Sequence, residues 1–226
     1  MIKNLVIVPA RAGSIRLSNK NIAMLNNKPL FLYTINLCKK LKKYADVIVS
    51  TDCKKIIAFC KNKNYLKCIK RKKNLSSRNT QIIDVVLDVL KQIKENEYEN
   101  IILLQTTSPL RKVLDVKKCI NIFKRNNLKS LATISRLIEN PSDLILKTKK
   151  NFKFIKNQKS KKLNKDIFYV DGSIYISSIM FLKKYRTFLH DKYTKFIKLS
   201  NDFNVDIDYE HDLILAKYFL KKQTAL

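Results

Sequence analysis

Short apolar runs alternate with helical stripes through the first two-thirds of the chain. Leu5-Val6-Ile7-Val8 is unbroken apolar sequence, the pattern of a strand buried on both faces. From Leu30 to Lys43 the residues facing one way are Leu30, Tyr33, Thr34, Leu37, Cys38 and Leu41, a helical spacing that Pro29 can open. Asp46-Val47-Ile48-Val49-Ser50 reads as the next strand, and Thr51-Asp52 can start a helix that runs through Lys63. Leu66 to Lys70 is a short strand. Gln81 to Glu95 is helical, with Ile82, Val85, Val86, Val89, Leu90 and Ile93 on one face. Ile101-Ile102-Leu103-Leu104 is the most apolar strand, Val113 to Asn126 is helical, and Leu131-Ala132-Thr133-Ile134 is again a strand. Strands and helices alternating at these lengths predict βαβ units, hence an α/β fold with a mostly parallel sheet covered by helices on both faces.

The pattern changes after about Ser135. Leu144 to Lys165 is lysine-rich, with weak alternation around Phe152-Lys153-Phe154-Ile155, and reads as a hairpin or extension leaving the core. Strand-like runs return at Ser173-Ile174-Tyr175-Ile176 and Phe196-Ile197-Lys198-Leu199, and a helix from Tyr209 to Lys221 closes the chain. The 226 residues suit a single domain, 1–226, with an appendage at about 135–165.

Composition narrows the function classes. At 46% hydrophobic, the chain can bury a core. No apolar run reaches the roughly 18 residues of a membrane span, and the run ending at Pro9 is too short for a signal peptide, so the expectation is a cytoplasmic protein with no membrane partner. Cys38, Cys53, Cys60, Cys68 and Cys119 form no C-x-x-C pair, which favours small buried thiols over disulfides or zinc. The net charge of +29 invites a nucleic-acid reading, but 39 Lys against 8 Arg, dispersed along the chain, look like solvated faces rather than a basic patch. Such a surface would still draw anionic substrates. An average chain of this length has about 16 glycines. This one has two, Gly13 and Gly172, which marks both positions as needing glycine's freedom or its missing side chain. Arg11, Arg16, Arg71 and Arg111 follow strand-like runs, where a guanidinium fork suits phosphate or carboxylate, whereas Arg125, Arg136 and Arg186 read as surface ion pairs.

Four loops carry candidate chemistry. From Pro9 to Asn21 a strand runs into a loop with Gly13, Ser14, Arg11, Arg16 and Lys20, an anion-binding turn that is neither a P-loop nor a dinucleotide fingerprint. Val205-Asp206-Ile207-Asp208, if extended, sets two carboxylates on one face, a donor pair for Mg²⁺ beside substrate phosphates, or else a helix cap. Gln105 stands at the end of the most apolar strand, in a stretch that could equally be an ordinary turn. At Asp171-Gly172 an acid and a glycine open an apolar strand or form a hairpin turn.

In this order, the four segments resemble the acylneuraminate cytidylyltransferases, the CMP-sialic acid synthetases. Pro9 to Ile22 matches the family's P-A-R-x-G-S-x-R-x-x-x-K-N-I. Val49-Ser50-Thr51-Asp52 matches a second strand end. Leu103 to Arg111 is similar to L-L-Q-P-T-S-P-L-R, Asp171 to Ile176 to N-G-A-I-Y-I, and Asp206-Ile207-Asp208 with Asp212 to D-I-D-T-x-x-D. The resemblance implies a three-layer nucleotidyltransferase fold and Mg²⁺-dependent condensation of CTP with a nine-carbon 2-keto sugar acid, releasing pyrophosphate. It implies that Arg11, Ala12, Gly13, Ser14 and Lys20 hold the triphosphate, and that Asn21 and Arg71 contact ribose and base. Gln105 and Asp171 would meet the sugar and Asp206 and Asp208 the metal; in the reaction so implied, Asp208 or a metal-bound hydroxide would take the hydroxyl proton. It further implies a homodimer joined through the 135–165 extension; Lys161 or another lysine of the partner's extension is then the candidate to meet the sugar's carboxylate. Arg78 stands where the family commonly carries Asp, Tyr169 where it carries Arg, and Asp171 where it carries Asn; these departures bear on the sugar. Pseudaminic, legionaminic and KDO-type acids are the alternative substrates. A non-catalytic relative and a basic nucleic-acid-binding protein are the alternatives of different class.

Overall fold

The computed structural model describes residues 4–93, 97–137, 145–147, 152–154, 166–199 and 204–224. In chain order the strands are β1 (Asn4–Pro9), β2 (Met24–Leu25), β3 (Lys28–Pro29), β4 (Asp46–Thr51), β5 (Lys67–Lys70), β6 (Asn100–Leu103), β7 (Ser130–Arg136), β8 (Ile145–Lys147), β9 (Phe152–Phe154), β10 (Phe168–Ser178) and β11 (Thr194–Lys198). The helices are α1 (Leu30–Lys39), α2 (Lys54–Lys61), α3 (Ile82–Lys91), α4 (Val113–Arg125), α5 (Ile179–Tyr185) and α6 (Glu210–Thr224).

Seven strands form one mixed sheet in the order β11-β7-β10-β6-β1-β4-β5. β1 lies parallel to β4, with Leu5 opposite Asp46, and parallel to β6, with Leu5 opposite Ile101. β10 runs antiparallel to both β6 and β7. Alternation along β1 shows why its sequence is apolar throughout: Val6 and Val8 enter a core with residues of α1, α2 and α4, while Leu5 and Ile7 enter a second core with residues of α3 and α5. A sheet buried on both faces leaves no polar side to a central strand. The predicted three-layer α/β architecture is therefore the observed one.

Each strand expected from the pattern is present; α1 to α4 are shorter than their stripes, whereas α6 runs past the expected end at Lys221 to Thr224. α1 stops at Lys39, where Lys40, Lys42 and Lys43 continue on the exposed side. Two elements left no periodic signal. The β2–β3 hairpin turns through Asn26 and Asn27, both at positive φ (46° and 59°), as a two-residue hairpin turn requires. α5 is only seven residues long; the Ser178 hydroxyl caps it by accepting from the Phe181 N–H at 3.3 Å. Asp171-Gly172 is neither a strand opening nor a hairpin turn. β10 runs straight through it, and its register against β7 shifts between Val170 and Tyr175, with Gly172 at φ 73°. Of the expected extension, β8 and β9 pair as an antiparallel ribbon, and most of the remainder lies outside the described residues.

The chain leaves β1 toward β4 and later returns to the other side of β1 as β6. The loops following β1, β4, β5 and β6 thus meet at one sheet edge, beside the strand where the order reverses. That edge is where open α/β sheets bind ligands.

Candidate active site

The loop after β1 is fastened at both ends. The Ala10 N–H donates to the Ser50 carbonyl at 2.9 Å, the Thr51 hydroxyl to the Ala10 carbonyl, and the Ala12 N–H to Asp52 Oδ1 at 2.7 Å. At the far end, the buried Asn21 amide donates to the Arg11 carbonyl at 2.8 Å and accepts from the Thr106 hydroxyl. Between these anchors, Arg11 reaches across to the loop after β5, where its Nη1 donates to the Ser77 carbonyl at 2.7 Å and the Ser76 carbonyl at 3.4 Å.

These loops enclose a cleft of about 400 Å³. Arg11, Ser14, Arg16, Lys20, Asn21, Arg71, Gln105 and Asp208, all singled out from the sequence, line it. Among the described residues, Asp208 is the only carboxylate in its wall, facing five cationic side chains counting Arg78. Lys20 Nζ donates to Asp208 Oδ1 at 2.7 Å and Arg16 to the other oxygen, while the Arg16 guanidinium lies 5.5 Å from the Tyr209 ring centre. Partial burial pushes the Asp208 carboxyl up, but the two cations outweigh it and hold its pKa below the usual carboxylate range. Asp208 comes to this edge because the Ile207 N–H donates to the Thr107 carbonyl at 2.8 Å, and because Asp212 accepts from the Asp208 and Tyr209 N–H groups at 2.9 and 2.8 Å, capping α6.

Asp206 does not line the cleft. Its carboxyl is pushed up by the protein atoms crowding it, with further upward pushes from Asp208 and Asp212; the Thr107 hydroxyl and Lys20 pull the other way. Asp208 thus adds to the cost of ionising Asp206, a repulsion that a divalent cation would relieve. Among the described residues no cluster of three or more His, Cys, Asp or Glu side chains surrounds them. By residue type, two carboxylates are donors of the kind magnesium takes, since it binds through one or two of them and keeps positions for water and substrate phosphates.

The other expected residues divide between the cleft wall and the protein around it. Arg71 lines the cleft but is buried, donating through Nη2 to the Ser50 carbonyl at 2.9 Å and through Nε to the Ser50 hydroxyl at 3.3 Å; burial brings its pKa down to about 10. Arg111, read as an anion-binding arginine, lies beneath the site. Its fork donates to the Ser173 carbonyl at 2.7 Å and the Gln105 carbonyl at 2.8 Å, which fixes the backbone behind Gln105. The Gln105 side chain itself makes no hydrogen bond to the described residues and faces the cleft. Asp171 is buried in β10 and accepts from the Thr133 hydroxyl at 2.6 Å, the Ser135 hydroxyl at 3.0 Å and the Ser173 N–H at 2.9 Å; it is not in the cleft wall. Ala12 and Gly13 are likewise outside the wall, and Lys161 lies outside the described residues. Arg136 and Arg186 pair with Asp166 and Asp84, as surface ion pairs should. All five cysteines are free and four are buried. Sequence reasoning did not assign Thr106, Thr107, Ser77 and Thr80 to the wall, because nothing in their local pattern separates a cleft hydroxyl from a turn hydroxyl.

Residues 5–225 match the family described as cytidylyltransferase. The chain belongs to that family. It is 25% identical over 219 residues to N-acylneuraminate cytidylyltransferase of Streptococcus agalactiae serotype V, covering 94% of this chain but about half (52%) of that protein. It is 26% identical over 224 residues to CMP-N,N'-diacetyllegionaminic acid synthase of Legionella pneumophila, covering 96% of each. Against pseudaminic acid cytidylyltransferase of Campylobacter jejuni it is 31% identical over 133 residues, 58% of this chain and 57% of the other. Among solved structures, a CMP:2-keto-3-deoxy-manno-octonic acid synthetase complexed with CTP superposes with a TM-score of 0.71 at 16% identity, covering 98% of this chain and 99% of the other. At that identity the likeness speaks for the fold.

Proposed function

We propose that this cytidylyltransferase-family chain condenses CTP with a 2-keto sugar acid, a nine-carbon acid of sialic type, to give the CMP-sugar and pyrophosphate. The observation that carries the reading is the Asp208 carboxylate held between Lys20 and Arg16 in a basic cleft at the carboxyl edge of the sheet. The sugar's anomeric hydroxyl oxygen forms a bond to the α-phosphorus of CTP, the bond from that phosphorus to the leaving pyrophosphate breaks, and Asp208 accepts the hydroxyl proton. Arg11, Arg16 and Lys20 offset the phosphate charge, and Ser14 offers a hydroxyl to it; such catalysis is largely positioning and charge stabilisation. Asp206 and Asp208 would hold magnesium, which would supply Lewis-acid neutralisation of phosphate charge. Gln105 presents its free amide to the ligand. Relatives named for sialic, legionaminic and pseudaminic acids keep the related acids open as substrates. The working form in this reading is a cytoplasmic homodimer, with the 135–165 extension bringing a basic group such as Lys161 to the sugar's carboxylate.

The test is Mg²⁺-dependent pyrophosphate release by Asp206→Asn and Asp208→Asn. Both substitutions should reduce turnover at least about 100-fold, as removal of a transition-state charge partner does. Wild-type rates in either variant would remove the metal assignment.

A further inference from the structure

Five cationic side chains line the cleft, and four already have protein acceptors. Arg11 donates to the Ser76 and Ser77 carbonyls, Arg16 and Lys20 share Asp208, and Arg71 is taken up by Ser50. Arg78 is different. It lines the same cleft, is exposed, and makes no hydrogen bond or ion pair with any described residue.

The turn that carries Arg78 is laced together. The Leu75 N–H donates to the Lys72 carbonyl at 3.0 Å and the Ser76 hydroxyl to the same carbonyl at 3.2 Å. The Ser77 and Thr80 hydroxyls are 2.9 Å apart, and the Thr80 hydroxyl reaches the Asn74 carbonyl at 3.3 Å. Arg11 then ties this turn to the loop after β1. The turn therefore sets a guanidinium at the cleft with all its donors unspent, and a guanidinium fork is the side chain best matched to phosphate oxygens.

We propose that Arg78 is an anion-binding arm of the cleft and takes a phosphate oxygen of the nucleoside triphosphate, an assignment that rests on the cytidylyltransferase reading for the identity of its ligand. Arg11 supports it by fixing the turn, and Arg78 supplies a charge-assisted contact that no described protein group competes for.

The experiment titrates the full-length wild type, Arg78→Ala and Arg78→Lys with inorganic pyrophosphate and, separately, with CTP, by calorimetry. Arg78→Ala should bind both about tenfold more weakly, with Arg78→Lys recovering part of the loss. The melting temperature of Arg78→Ala should match wild type, because the side chain holds nothing in the fold. Equal affinity of wild type and Arg78→Ala for both anions overturns the proposal. So does a defect confined to the KM for the sugar acid, which assigns Arg78 to a carboxylate instead. Pyrophosphate binding that depends on Arg78, with no CTP binding, upholds the anion arm and removes the cytidylyltransferase reading. Wild type that binds neither anion removes both.

Discussion

Gly13 and Gly172 are the chain's two glycines, and the protein's own backbone requires only the second. Gly172 sits at φ 73° within β10, where a side chain is strained; a Cβ there would meet Asp206 Oδ2 only at an ordinary 3.8 Å, so the cost is conformational. Gly13 has no positive φ, and a Cβ there would meet nothing within 4 Å. Gly172→Ala should therefore destabilise the fold by about 1–2 kcal/mol. Gly13→Ala should leave the melting temperature unchanged, so any effect on nucleotide affinity would report a ligand close to that backbone. Thermal melts of the two variants check this, and an unaltered melt for Gly172→Ala would refute the bulge account. Scarcity of glycine pointed to both positions, but it could not say whether the chain or its ligand was the reason. The same holds for arginine. Arg11, Arg16 and Arg71 came to the cleft as their place after strands suggested, whereas Arg111 turned its fork to the backbone carbonyls of Ser173 and Gln105. Which acceptor an arginine finds is settled by tertiary approach between segments 62 residues apart, in the case of Ser173, and no local pattern encodes that.

At the level of elements, the strands of the sheet were legible because burial on both faces leaves continuous apolar runs. The short elements were not. α5 has two turns and takes its place from packing Phe181 and Leu182 into the interior, and the β2–β3 turn rests on two asparagines at positive φ. The interruption of β10 was visible only as an Asp-Gly pair, which sequence alone reads as a turn. What holds it inside a strand is the buried Asp171 carboxylate collecting the Thr133 and Ser135 hydroxyls across the β7–β10 pairing. Arg111 clamps the same strand from the other direction, joining β10 to the loop after β6. Arg111→Ala should thus cost about 2–4 kcal/mol, since two carbonyls lose a charged donor. Arg111→Lys should recover only part of this, because one ammonium cannot reproduce the two-pronged fork. Denaturant melts give the answer; full recovery by lysine would show that charge alone matters there.

Across the whole molecule, the +29 charge sits mainly on dispersed lysines, while four of the eight arginines, with Lys20, line the cleft where the loops of the parallel strands meet. That placement suits an anionic ligand drawn in by the general field and then held by a few fixed groups. The Asp208 segment travels from near the chain's end to this edge through a third apolar cluster, in which Val205, Ile207, Leu213 and Ala216 meet Leu25, Leu30 and Leu110. Packing of the carboxyl-terminal segment against the β2–β3 hairpin and α1 is what brings the carboxylate 188 residues along the chain to Lys20. The family match over residues 5–225 spans the same assembly. The most direct measurement incubates the full chain with CTP, Mg²⁺ and a panel of nine-carbon and eight-carbon 2-keto sugar acids, and follows pyrophosphate together with the nucleotide product. Stoichiometric pyrophosphate and CMP-sugar with a nine-carbon acid is the predicted result; folded protein that binds CTP yet releases no pyrophosphate with any acid would contradict it.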